Sequence, residues 1–311
     1  MDVLPVEIID RISAFACCDG GPTASSLRSA SRMLHAVTER HKFHTVAITS
    51  SRQTLLFHDT LRDALASGRA AVRHLFITVN EQVDGGVTHA AKDIVALAAP
   101  TLETLTCVVE SVPSTYPMYY PILSTTSFPR LTHLTFRHPH LLTYSKPLIH
   151  PGMAIRFPKL RYLHVAYACP VSTLTAHMVT SAITSRSGSS LTNIRLSGIA
   201  IRGTSTGALD NPVVPVLRVM LGLDSVRHLP ATPPSVRSYV IEPHYTPRMF
   251  MASWEEADIR ETLDEVIREN EDSGGIRLVL LPPVVHEAHW ADDKSVKDWT
   301  AEWLESQGCE A

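Results

Sequence analysis

The residues of this 311-residue chain that could do chemistry are few and poorly assembled. The string GTSTG at 203–207 meets the Gly-x-Ser-x-Gly spacing of a nucleophile elbow, in which a strand delivers a serine onto a sharp turn and a helix follows at once. Asp210, Asn211 and Pro212 come within a few residues of Ser205 and favour a turn, so no catalytic residue is assigned. The sequence holds 16 histidines, which invite a metal. His133, His138, His140 and His164 are the ones that neighbouring segments could bring together, but no His-Glu-x-x-His or Cys/His ligand spacing occurs. HEAH at 286–289 has the wrong spacing for a zinc protease. There is no phosphate-binding glycine loop and no dinucleotide fingerprint. The chain is expected to need neither metal nor cofactor and to act without catalysis.

The five cysteines, Cys17, Cys18, Cys107, Cys169 and Cys309, are odd in number, include an adjacent pair and form no Cys-x-x-Cys. They fit neither a disulfide framework nor a zinc site, and predict a reducing compartment. Asp2 and Glu7 stand where a signal peptide would be basic, and no apolar run approaches the roughly 20 residues of a membrane helix. The expectation is a soluble cytoplasmic or nuclear protein with no membrane partner. Charge is unevenly spread: residues 253–311 hold 16 acidic and 5 basic side chains, a net of −11, and residues 1–252 carry a net of +8. No cluster of Lys and Arg accompanies that excess, so nucleic acid is not an expected partner and the two regions are read as complementing each other within one fold.

The elements that position these residues repeat. The pattern apolar-x-x-apolar-x-apolar occurs as VRHLFI, LETLTC, LTHLTF, LRYLHV, LTNIRL, VRSYVI and IRLVLL, starting at 72, 102, 131, 160, 191, 236 and 276. The steps are 30, 29, 29, 31, 45 and 40 residues. The closing alternation predicts a strand with one buried face. Phe-Pro precedes two copies, at 128–129 and 157–158, where proline keeps the lead-in extended. Helical stretches lie between strands: QTLLFHDTLRDALASG, with Leu55, Leu56, Leu61 and Leu65 on one side, then THAAKDIVALAAP, STLTAHMVTSAITSRSG and VVPVLRVMLGL. Residues 109–128 are rich in Pro and Tyr and read as an irregular loop. A strand and a return segment every 29–31 residues resembles a leucine-rich-repeat solenoid, in which each unit leans on its neighbours. The asparagine that follows the strand in the strict family pattern is replaced by Pro139, Ala168 and Ile199, so the resemblance is to degenerate intracellular repeats. Two late helices follow from Ser253/Glu256 and Ser295/Asp298 capping boxes. The second carries Trp299 and Trp303 one turn apart; the region is read as an end cap, the alternative being that the two indoles form a partner site.

The chain opens LPVEIIDRISAFACC. Pro5 suits a first helical turn, and Ile8, Ile9, Ile12 and Phe15 form an apolar stripe. After DGGPTAS comes a second stripe of Leu27, Ala30, Leu34 and Val37, ending at Phe43 and a strand. This unit resembles the F-box family: Leu-Pro-x-Glu-hydrophobic is matched by Leu4, Pro5, Glu7 and Ile8, and Leu-x-x-x-Ser-Arg-x-Leu by Leu27, Ser31, Arg32 and Leu34. The fold class expected is therefore α/β: a three-helix F-box-like module over 1–48, a leucine-rich-repeat-like solenoid with a parallel sheet over 49–285, and a capping helix over 286–311.

What the resemblance implies is the substrate-recognition subunit of a Skp-cullin-F-box type ubiquitin ligase. The helices would dock on a Skp-type adaptor, which joins a cullin-RING ligase, through Leu4, Pro5, Ile8, Ile9, Leu27 and Leu34. A protein substrate would meet residues pointing out of the strands: Thr104 and Thr106, Thr135 and Arg137, His164, and Arg195. That row is mildly basic and hints at an acidic target. The alternative is a free-standing repeat scaffold that binds proteins without a ligase.

Overall fold

The first six copies of the apolar pattern each become a buried lead-in residue followed by a parallel strand. The structure, a computed structural model, describes residues 4–68, 71–80, 85–111, 125–138, 156–200, 213–225, 229–245, 253–282, 284–285 and 295–306. The chain is α/β and divides into two compact units. The first holds helices α1 (Val6–Ala16), α2 (Pro22–Ala30) and α3 (Arg32–Thr38), strand β1 (Thr45–Ile48), α4 (Ser51–Ala66), β2 (His74–Asn80), α5 (Gly85–Ala98), β3 (Thr104–Ser111) and the C-terminal helix α9 (Val296–Ser306). The second holds β4 (His133–His138), β5 (Tyr162–Ser172), α6 (Thr173–Thr184), β6 (Asn193–Ala200), α7 (Val213–Leu221), β7 (Ser238–Tyr245), α8 (Ser253–Asp272), β8 (Arg277–Leu280) and β9 (Val284–Val285). The division near residue 131 lies within the repeats, and the last helix returns to the first unit.

In the first unit β1 pairs with β2 and β2 with β3, all parallel. Leu75 stands opposite Leu105, and Ile77 opposite Cys107, and all four are buried. In the second unit β4, β5, β6, β7 and β8 pair in sequence order, again parallel, and β9 adds to β7. Leu134, Leu163, Ile194 and Tyr239 make one continuous buried column. The lead-in residues Leu131, Leu160 and Leu191 are fully buried, as are Phe128 and Phe157 of the Phe-Pro pairs. Leu160 N–H donates to Phe157 O at 3.3 Å, closing the turn that aims the strand.

Two expectations of phase are corrected. In the last copy Tyr239 pairs with Leu278, not with Val279, so the pattern runs one residue out of step. A one-residue slip exchanges the two faces of a strand. Here all of Leu278 to Leu281 are apolar and half-buried, so the exchange loses little. On α4 the inward face is Thr54, Leu61 and Ala64, whereas Leu55 and Leu56 are exposed. Thr54 is tolerated there because its hydroxyl donates to Ser50 O at 3.1 Å.

The cysteines also differ from expectation. Cys18 is disulfide-bonded, whereas Cys17 and Cys107 are free and buried. Among the described residues no helix is long and apolar enough to cross a membrane.

Candidate functional site

Three short helices open the chain because local chemistry stops each one. Pro5 precedes α1 in an extended conformation, and its carbonyl accepts from the N–H groups of Ile8 and Ile9 at 3.0 and 3.2 Å. Gly20 and Gly21 turn the chain with positive φ before Pro22 starts α2. Ser31 then breaks what reads as one stripe into two helices. Its backbone is extended, and its hydroxyl caps α3 by accepting from Leu34 N–H at 3.1 Å.

The small core of this helical region is made by Ile9, Ala24, Val37 and Phe43. Ile9 therefore faces inward, which corrects its expected place on an outward docking face. The outward stripe is Leu4 at 60% exposure, Ile8 at 40%, Ile12 at 52% and Phe15 at 77%. The spacings of four and three residues set Ile8, Ile12 and Phe15 along one side of α1, and Leu4 precedes that helix. Pro5 is exposed beside them, Met33 is exposed on α3, and Leu27 and Leu34 are half-buried. Ile12 and Phe15 belong to the stripe visible in the sequence yet were not among the residues expected to dock. Met33 carried no signal, because the break at Ser31 resets the phase of α3.

Charged groups tie α1 to the start of the strands. His41, itself buried, reaches Asp10 Oδ1 with Nε2 at 2.9 Å and His44 Nδ1 with Nδ1 at 3.3 Å. The hydrogen bond from His41 holds the Asp10 carboxyl below its ordinary value, against the opposing effect of burial. Burial, then the neighbouring charges of Arg73, His41 and His74, push the His44 imidazole down to about 4. Glu39 gathers Arg28, at 2.9 Å, and Lys42. Burial opposes its ionisation, but the Lys42 hydrogen bond and both cations hold it below the usual carboxylate range.

The strand residues expected to meet a substrate divide. Thr104, Thr106, Arg137 and His164 are buried, which corrects their expected exposure, while Thr135 and Arg195 are half-buried. In the first unit the cover is visible. Phe76 pairs directly with Thr106 on the same strand face, and Trp303 of α9 lies over Phe76 with ring centroids 5.6 Å apart. Trp299 and Trp303 are both buried. In the second unit polar side chains bond along the ladder. His164 Nε2 lies 2.9 Å from Ser197 Oγ, Ser197 Oγ donates to Glu242 Oε2 at 2.7 Å, and Arg195 Nη2 donates to the same oxygen at 2.8 Å. The register explains the set: Ser197 pairs with Glu242, and Arg195 with His164, on adjacent parallel strands.

The hydrogen bonds of this row do not follow the order of a hydrolytic triad. In a hydrolytic triad the carboxylate orients the imidazole and the imidazole takes the serine proton. Here the serine hydroxyl donates to Glu242 rather than to the imidazole. His133 faces Tyr162 across the ladder, ring centroids 5.8 Å apart, and lies a strand-face step away from His164. Ser205 and its GTSTG string, His140, the HEAH segment and Cys309 lie outside the described residues, as do the side chains of His138 and Cys169.

No protein-family model, no curated protein and no solved structure matches the chain.

Proposed function

We propose that the chain is the substrate receptor of a Skp-cullin-F-box type ubiquitin ligase. The N-terminal helices are an F-box-like module that docks on a Skp-type adaptor, and the repeated strands form a leucine-rich-repeat-like solenoid that holds a protein substrate. One observation carries the reading. The helical module already has its own inward residues, yet leaves Ile8, Ile12 and Phe15 exposed on one side of α1 and Leu4 exposed just before it. A contiguous apolar stripe of this kind fits helix-in-groove recognition by a partner. The order of the Leu4-Pro5-x-Glu7-Ile8 and Leu27-x3-Ser31-Arg32-x-Leu34 motifs supports the same partner class. The 29–31-residue steps and the parallel pairing support the second half of the reading. The receptor acts without catalysis: transfer of ubiquitin belongs to the rest of the assembly.

The test is co-purification with a Skp-type adaptor. The intact chain is expected to bring the adaptor down, and Leu4→Ala/Ile8→Ala is expected to abolish this while the repeats keep their melting transition. Retention of protein partners without any adaptor would instead favour the free-standing scaffold.

A further inference from the structure

The C-terminal helix carries the new observation. The core face of β2 and β3 is completed by Leu75, Ile77, Leu105 and Cys107. The opposite face is rich in hydroxyls: Thr78, Thr104 and Thr106, with His74 Nδ1 3.1 Å from Thr104 Oγ1. The face mixes these hydroxyls with two buried apolar side chains, Phe76 at its centre and Val108 opposite Thr78. It is covered by α9, which sets Trp303 over Phe76.

Three features mark α9 as an occupant of this face. It reaches the first unit only after the chain has made the whole of the second, residues 132–293. Its helical start is self-contained: Ser295 N–H donates to Asp298 Oδ2 at 2.7 Å and Asp298 N–H donates to Ser295 Oγ at 3.3 Å, a complete capping box. And the buried Trp303 Nε1 has no hydrogen-bond acceptor among the described residues, a defect that a side chain integral to a core seldom keeps.

We propose that the β2–β3 face around Phe76 is a docking surface for an amphipathic helix with two large aromatic residues one turn apart, and that α9 is its resident occupant, displaced when a protein cargo presents such a helix. The inference rests on the reading of the strands as a cargo surface, and it makes the C-terminal helix an intramolecular stand-in for the substrate. An intramolecular competitor has a high effective concentration, so only a cargo of good fit displaces it.

The experiment uses the full-length chain and a fluorescently labelled synthetic peptide of residues 295–306. In the Trp299→Ala/Trp303→Ala chain the face is vacated, and the peptide is expected to bind one per chain, at least 100-fold more tightly than to the unaltered chain. Adding Thr106→Glu to that variant is expected to abolish binding. Failure of the peptide to bind a variant that still melts cooperatively overturns the proposal. Amide exchange on the unaltered chain decides the case in which the variant does not fold. Exchange at least 100-fold faster in α9 than in β2 and β3 supports release of the helix, and equal protection overturns it. No adaptor is present in either measurement, so this outcome is independent of the co-purification test.

Discussion

Ile8 and Ile9 are adjacent in sequence and should fail in opposite ways when altered. Ile9 is 9% exposed and packs within the helical module. Ile9→Ala should therefore cost folding free energy, about 2 kcal/mol at the low end of the range for such truncations, because a module this small relaxes around the space left. The outward side is different. Phe15 and Ile12 are 77% and 52% exposed, so there is much to gain when a partner covers them. Scaled by those fractions, complete burial of each returns about 1–2 kcal/mol. On the proposed adaptor docking, Ile12→Ser/Phe15→Ser should weaken that binding roughly 30- to 1,000-fold, while changing folding stability by no more than about 0.5 kcal/mol. The assays are calorimetric titration of a purified Skp-type adaptor and denaturant unfolding of each variant. The reasoning is refuted if the double variant binds as tightly as the parent, or if Ile9→Ala unfolds at the parent's midpoint.

Two further outcomes follow from particular contacts. Unfolded His44 takes up its proton near 6.5, whereas the native imidazole, flanked by Arg73, His41, His74 and Asp10, resists until about 4. Its contribution is present above pH 6.5 and lost as the pH falls towards 4, so unfolding midpoints measured from pH 8 to 4 should decline across that window and decline less in His44→Asn. Gly198 has φ near +80°, and a Cβ there would lie 2.2 Å from Tyr167 O. Gly198→Ala should cost about 2–4 kcal/mol, read by calorimetry as a loss of the second unit's transition with the first unit's retained.

The strands were legible because their signal is local. Three apolar residues at i, i+3 and i+5 fix a lead-in and a buried face, and the observed β2 to β7 follow that pattern copy by copy. Where the signal is degenerate it misleads. Leu278 to Leu281 offer no alternation, and the register there is set by pairing with β7. Thr54 on α4 hides a buried position from an apolar count, since its hydroxyl is satisfied by the helix itself. The outward stripe of α1 was readable, but which isoleucine turns inward depends on α3 and on the break at Ser31. The strand-face residues show the sharpest limit. Alternation says that Thr104 and Thr106 leave the core face, and nothing nearby says that Trp303 covers the strands beside them. Local spacing gives no account of a contact made from 197 residues away.

That separation has a consequence for biosynthesis. Phe76, β2 and β3 are made early, but the indole that shelters them is made only 227 residues after Phe76. At roughly 5–20 residues per second, the ribosome leaves this aromatic face bare for about 10–40 s. A stalled or prematurely terminated chain would keep it bare for good, presenting quality-control chaperones with a ready handle on every unfinished molecule.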